Sequence, residues 1–157
     1  MMTPFILQDA LVAKLKRLFH DSEYMNARYE MVPLNIYAQN LPAKNEQDDR
    51  DHFPFITVRF GETTDQGHEV QSSCSMLLSV GIFDESLDMQ GEKTVQNILQ
   101  RIRHAFLTHP ILDRMFEMDF PLTCSLFDDE DLSPYFFGYV NMKWKIPGIS
   151  REDVYFG

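Results

Sequence analysis

The chain is poor in the residue types that mark a function most sharply. It has two cysteines, Cys74 and Cys124, about fifty residues apart. That spacing is no metal motif. A disulfide would need their strands to be neighbours with suitable geometry, and without a secretion signal two buried thiols are the expectation. The seven glycines never fall into GxGxxG or GxxxxGK[ST], and GxSxG and HExxH are missing as well. The common phosphate-cradling, nucleophile-elbow and zinc-protease patterns are therefore not present. No run approaches the roughly 20 apolar residues that cross a bilayer. The opening stretch MMTPFILQDALVAKLKRLF lacks a charged n-region, so a soluble, intracellular product with no membrane contact is expected. Basic residues are also scarce: 14 Lys and Arg stand against 24 Asp and Glu, a net charge of −10. A general nucleic-acid binder would carry the opposite balance.

What remains is a chain of 157 residues, 44% hydrophobic and 13% aromatic, enough to bury the core of one domain. Pro4 after Thr3 reads as a helix start, and Leu7, Leu11, Leu15 and Leu18 form one stripe at helical spacing. Lys14, Lys16 and Arg17, with Arg101 and Arg103 further on, read as solvated helix faces. His20 to Glu30 reads as a connection. In MVPLNIYAQ, Val32, Leu34, Ile36 and Ala38 alternate as in a half-buried strand, with Pro33 confining it to an edge. PFITVRF places Ile56, Val58 and Phe60 on one face. Residues 61–69 read as the tip of a long hairpin. VQSSCSMLLSVGIF then places Cys74, Met76, Leu78, Val80 and Ile82 opposite Ser73, Ser75, Ser79 and Gly81. One apolar and one small-residue face predict helices on one side of the sheet only.

A helix over residues 91–108 follows, with Val95, Ile98, Leu99, Ile102 and Phe106 inward and Pro110 beyond its end. EMDFPLTCSLF puts Met118, Phe120, Leu122, Cys124 and Leu126 on one face. YFFGYVNMKWKIP alternates Phe136, Val140, Met142, Trp144 and Ile146 with polar residues. The expected fold is α+β: one mixed, largely antiparallel sheet of about five strands, two helices on one face, in the order α-β-β-β-α-β-β. A single domain is expected over residues 1–157, with its core at 4–147 and a polar tail at 148–157.

Nothing in this pattern assembles a catalytic group. The five histidines are scattered, and His104 and His109 are not an i, i+4 ligand pair. His20, Asp21 and Glu23 read as a solvated helix end. Asp128, Asp129, Glu130 and Asp131 lack the ligand spacing and glycine turn of a calcium loop. Asp84 and Glu85 follow a strand without a nucleophile or base beside them. No enzyme activity, cofactor or metal is expected.

Taken together, PFITVRFGE, the strand ending VGIFDES, the helix VQNILQRIRHAFL and the closing FFGYVNMKWKIP carry a resemblance. Over residues 5–147 the chain resembles tail terminator (tail completion) and head–tail joining proteins of long-tailed bacteriophages. The resemblance implies a virion tail protein, assembled in the bacterial host cytoplasm. It implies a ring homo-oligomer, commonly a hexamer, that caps the tail tube, stops its growth and offers a surface to the head–tail connector protein. DNA would pass through without specific binding, past an acidic lumen or rim to which Asp128, Asp129, Glu130 and Asp131 are candidates. Candidate contacts with neighbouring subunits or the tail tube protein are Asp48, Asp49, Arg50 and Asp51, then Glu62, Asp65 and Glu69, then Asp84 and Glu85. The other reading is a non-phage protein-interaction adaptor of the same architecture.

Overall fold

A computed structural model describes residues 4–41, 52–85, 90–127 and 132–152. In chain order the elements are α1 (Pro4–Leu18), β1 (Glu23–Met25), β2 (Met31–Pro33), β3 (Asn35–Ala38), β4 (Phe55–Thr64) and β5 (Ser72–Phe83). Then come α2 (Gln90–Thr108), β6 (Ile111–Leu112), β7 (Phe116–Phe127) and β8 (Tyr135–Ile146). The fold is α+β. Its main sheet has six strands in the order β3-β4-β5-β8-β7-β6, and β1 and β2 form a separate two-stranded sheet. All neighbours in the main sheet are antiparallel except β3 and β4, which run parallel.

The two helices cover one face of the sheet, as the alternation predicts. Leu7, Leu11 and Leu15 of α1 and Val95, Ile98, Leu99, Ile102 and Phe106 of α2 share one buried cluster with the even-numbered residues of β5 and β8. Trp144 at its centre is fully buried, with its ring edge-on to Phe106 at 5.7 Å between centroids. Burying one such aromatic side chain stabilises the fold by about 2–3 kcal/mol. Gly138 and Gly91 bring α2 close to β8. A Cβ on Gly138 would lie 2.6 Å from Val95, and one on Gly91 would lie 2.3 Å from the Phe136 ring.

Four expectations need correction. The order α-β-β-β-α-β-β with about five strands gives way to six strands in the main sheet and two beside it, the short β1 and β6 carrying too few residues to show a period. The single strand read from MVPLNIYAQ is two strands in two sheets, split around Leu34. Pro33 has no N–H to continue a ladder, so β2 ends there on β1, a strand within the segment expected to be a connection. Phe60 and Phe120 are not in the core; they are 41% and 68% exposed. The β4–β5 register shifts between Phe60 and Thr63, and the β7–β8 register shifts between Asp119 and Thr123 around Pro121. Such irregularities bend a strand and re-aim its side chains. Arg101 is not a solvated helix residue: it is half-buried against the end of α1.

Candidate functional site

The opposite face of the sheet has no helix among the described residues. Its odd-numbered positions form rows across the strands: Arg59, Leu77, Asn141 and Thr123 in one, Thr57, Ser79, Tyr139 and Ser125 in another. One end of this face is closed by aromatic packing, where Phe53, Phe55 and Phe83 are buried beside Tyr135 and Phe137. The face also carries two shallow pockets of about 340 Å³ each, one toward its other end and one bordering the aromatic packing. One lies between the two irregular strand segments and includes Glu62, Ser75, Pro121 and Lys143. The other lies beside β3 and includes Gln39, Phe55, Arg59 and Tyr139. Charges here are partly paired across strands. Lys145 Nζ lies 3.8 Å from Glu117, and Lys143 stands opposite Asp119 in the register.

Both outer strands leave part of their neighbour uncovered. β3 pairs with β4 only through Val58. Beyond it, Gln39 substitutes for a strand: its N–H donates to the Val58 carbonyl at 2.7 Å, and its Oε1 accepts the Phe60 N–H at 3.1 Å. The buried side chain of Gln8 holds this plug, donating to Gln39 Oε1 at 3.0 Å and to the Val58 carbonyl at 2.8 Å. β6 pairs with β7 only at Phe116 and Glu117. Among the described residues, Gly61 to Thr64 of β4 and Leu122 to Phe127 of β7 therefore have no strand on their outer side.

The acidic candidates fall into two sets at opposite ends of β5, whose 12 residues span about 35 Å. At the hairpin end, Glu62 is exposed, and its N–H donates to Ser75 Oγ at 2.9 Å within the irregular segment. Asp65 accepts a hydrogen bond from Ser72 Oγ. Glu69 has a left-handed φ of 61°, and its N–H donates to the Ile149 carbonyl at 3.1 Å, tying the hairpin to the segment after β8. At the other end, the Asp84 N–H donates to the Pro134 carbonyl at 2.9 Å, and Glu85 accepts from the Tyr29 hydroxyl. Asp48, Asp49, Arg50 and Asp51, and likewise Asp128, Asp129, Glu130 and Asp131, lie outside the described residues.

Around Asp84 and Glu85 the small sheet meets the ends of β5 and α2 over a pocket of about 600 Å³. Sequence reasoning missed it, because β1 lies in a segment without strand periodicity. Elsewhere, His20 pairs with Asp21 at 2.9 Å on the surface. Among the described residues no group of three His, Cys, Asp or Glu is placed to hold a metal ion, and no helix is long and apolar enough to cross a membrane. Cys74 on β5 and Cys124 on β7 are free thiols with β8 between their strands, and burial raises the pKa of both. No protein-family model matches the chain, and a search of curated proteins returns no match.

Proposed function

We propose that the chain is a virion assembly subunit of a long-tailed bacteriophage or prophage. It closes as a ring on the end of the tail tube, ends tube growth and gives the head its attachment surface. One observation carries this reading beyond the sequence resemblance: among the described residues, the sheet has two unlike open edges, Gly61–Thr64 on one side and Leu122–Phe127 on the other. An unpaired edge is a template for another strand, and two different edges suit head-to-tail contacts, which close into rings. β4 and β7 run antiparallel to each other within the sheet, because each successive pair from β4 through β5 and β8 to β7 is antiparallel. Copies set side by side in one orientation would therefore meet in the antiparallel sense, the more stable of the two. The open stretches lie at opposite ends of the sheet, so joining them staggers each copy against the next. Closing a sheet on itself requires such a stagger.

In this reading the ring's partners are itself, the tail tube protein and the connector, and DNA passes through without specific binding. The net charge of −10 repels phosphates and opposes adhesion during passage. Electron microscopy of particles from a phage or prophage with the gene disrupted tests the role. Headless tails of uncontrolled length are expected. Normal-length tails beside filled heads would move the assignment to head–tail joining, and intact particles would overturn it.

A further inference from the structure

The pocket beside β3 is lined by hydrogen-bond donors and by no carboxylate, on a chain whose net charge is −10. Its floor is Ser79, a short side chain set between Thr57 and Tyr139 in one row of the register. Phe55 and Phe137 close one end. They flank Gly81 in the next row, where a Cβ would lie 2.3 Å from the Phe55 ring, so the glycine lets that ring lean across the sheet. Arg59 stands at the other end, four residues along β4 and so about 13 Å from Phe55. Gln39, Asn40 and Leu41, which follow β3, complete the lining. About 340 Å³ within these bounds suits one small molecule and is too short for an extended segment.

The polar groups fix the sign of that molecule. Arg59 is exposed, and among the described residues it has no hydrogen bond or ion pair. Gln39 is held through its Oε1, which accepts from Gln8 and from the Phe60 N–H, so its Nε2 is the atom left to donate. The hydroxyls of Thr57, Ser79 and Tyr139 donate as readily as they accept. A cation would meet Arg59 with no carboxylate in the lining to offset it. A neutral apolar molecule would cover these donors without supplying an acceptor. A polyanion would gain a single guanidinium against repulsion from the whole chain. A carboxylate matches the planar guanidinium fork with two parallel hydrogen bonds. An aromatic ring behind that carboxylate finds Phe55 and Phe137 at the far end.

We infer that this pocket binds a small aromatic monocarboxylate, with its carboxylate at Arg59 and its ring against Phe55 and Phe137. The inference does not depend on ring formation, because every residue it uses belongs to one chain.

The test is a titration of the ¹⁵N-labelled full chain with indole-3-acetate, followed by NMR. The Arg59 Nε–H signal and the backbone amides of Ser79 and Tyr139 are expected to shift saturably. The indole N–H of Trp144, fully buried in the core, serves as the internal reference and stays in place. Tryptamine, which carries an ammonium on the same ring, is expected to bind at least about tenfold more weakly, and so is inorganic phosphate, which lacks the ring. Arg59→Gln is expected to weaken indole-3-acetate by at least about tenfold. Motionless Arg59, Ser79 and Tyr139 signals would overturn the inference. So would equal binding of tryptamine or phosphate, or unchanged binding by Arg59→Gln. The comparison of ligands needs no variant, so it stands even if Arg59→Gln fails to fold.

Discussion

Arg101 on α2 donates from Nη2 to the carbonyl oxygen of Leu18, the last residue of α1, at 2.9 Å. Its Nη1 reaches Ser22 Oγ at 2.6 Å, and its guanidinium lies over the Phe19 ring at 4.5 Å. One side chain thus satisfies a terminal carbonyl that the helix cannot pair and fixes the turn leading into β1. Arg101→Met is expected to cost about 2 kcal/mol, from the lost charged hydrogen bonds and an unpaired carbonyl. Arg101→Lys should recover less than half, because an ammonium cannot reproduce the planar fork or its stacking. Urea unfolding midpoints of the three proteins check this, and a lysine variant as stable as the parent would contradict it.

The close approach of α2 to β8 at Gly138 gives a second prediction. A Cβ there meets Val95 at 2.6 Å and Leu99 at 3.0 Å, both fully or nearly fully buried. Gly138→Ala is expected to cost about 1–3 kcal/mol through overpacking. Pairing it with Val95→Ala should return part of that loss, since the second change removes the methyl that is struck. A double-mutant cycle in urea measures the coupling, and simple additivity would mean that the helix shifts instead.

Much of this fold was legible because each long element keeps one period. The five inward residues of α2 are all buried, and so are Cys74, Met76, Leu78, Val80 and Ile82 along β5. The sequence failed where the period breaks. Phe60 and Phe120 continue an apolar alternation on paper, but Phe60 is the last residue paired in register before the β4 shift and Phe120 lies within the β7 shift, where the regular pairing gives out. Arg101 looks like any solvated arginine until α1 ends beside it, a tertiary contact across 83 residues. The pocket around Asp84 and Glu85 was equally hidden: Glu85 was visible as an acidic residue after a strand, but Met25 and Met31 sit on strands too short to show alternation, and Tyr29 sits in the turn between them. The open edges of β4 and β7 depend on strand order, which local pattern does not encode.

Stability should fall in alkali. Burial raises the pKa of Cys74 above 9.0 and that of Tyr37 above 10.0, and it raises Cys124 likewise. Each of these groups is neutral when protonated, so the folded chain holds protons that the unfolded chain has released. Stability is then fully present below the unfolded values and is lost as pH rises through the higher folded ones. Lys14, whose pKa burial lowers from 10.5, works in the opposite direction. The expected result is a urea midpoint that declines from about pH 9 upward, with a shallower decline in Cys74→Ala measured against its own neutral value. An equal slope in both proteins would remove Cys74 from the account.

The open edge of β7 is where the assembly reading is most exposed to test. Leu122 to Phe127 reads LTCSLF, six residues without a charge or a proline, two of the devices proteins use to blunt an edge. Thr123 and Ser125 are exposed, and their side chains leave the helix-covered core untouched. Replacing both with lysine should therefore change the unfolding free energy of the isolated chain by no more than about 0.5 kcal/mol. The same pair places two charges on every copy of a joint where strands would meet, and each closure of the ring repeats that penalty. Sedimentation velocity across a hundredfold range of concentration, with and without purified tail tubes, separates the cases. The parent is expected to assemble in at least one condition, and the double lysine variant is expected to remain monomeric in both. If the variant assembles as the parent does, the β7 edge is not the joint. If the parent stays monomeric even on tubes, the ring reading itself fails, because an unpaired edge of this composition would then be tolerated without a partner.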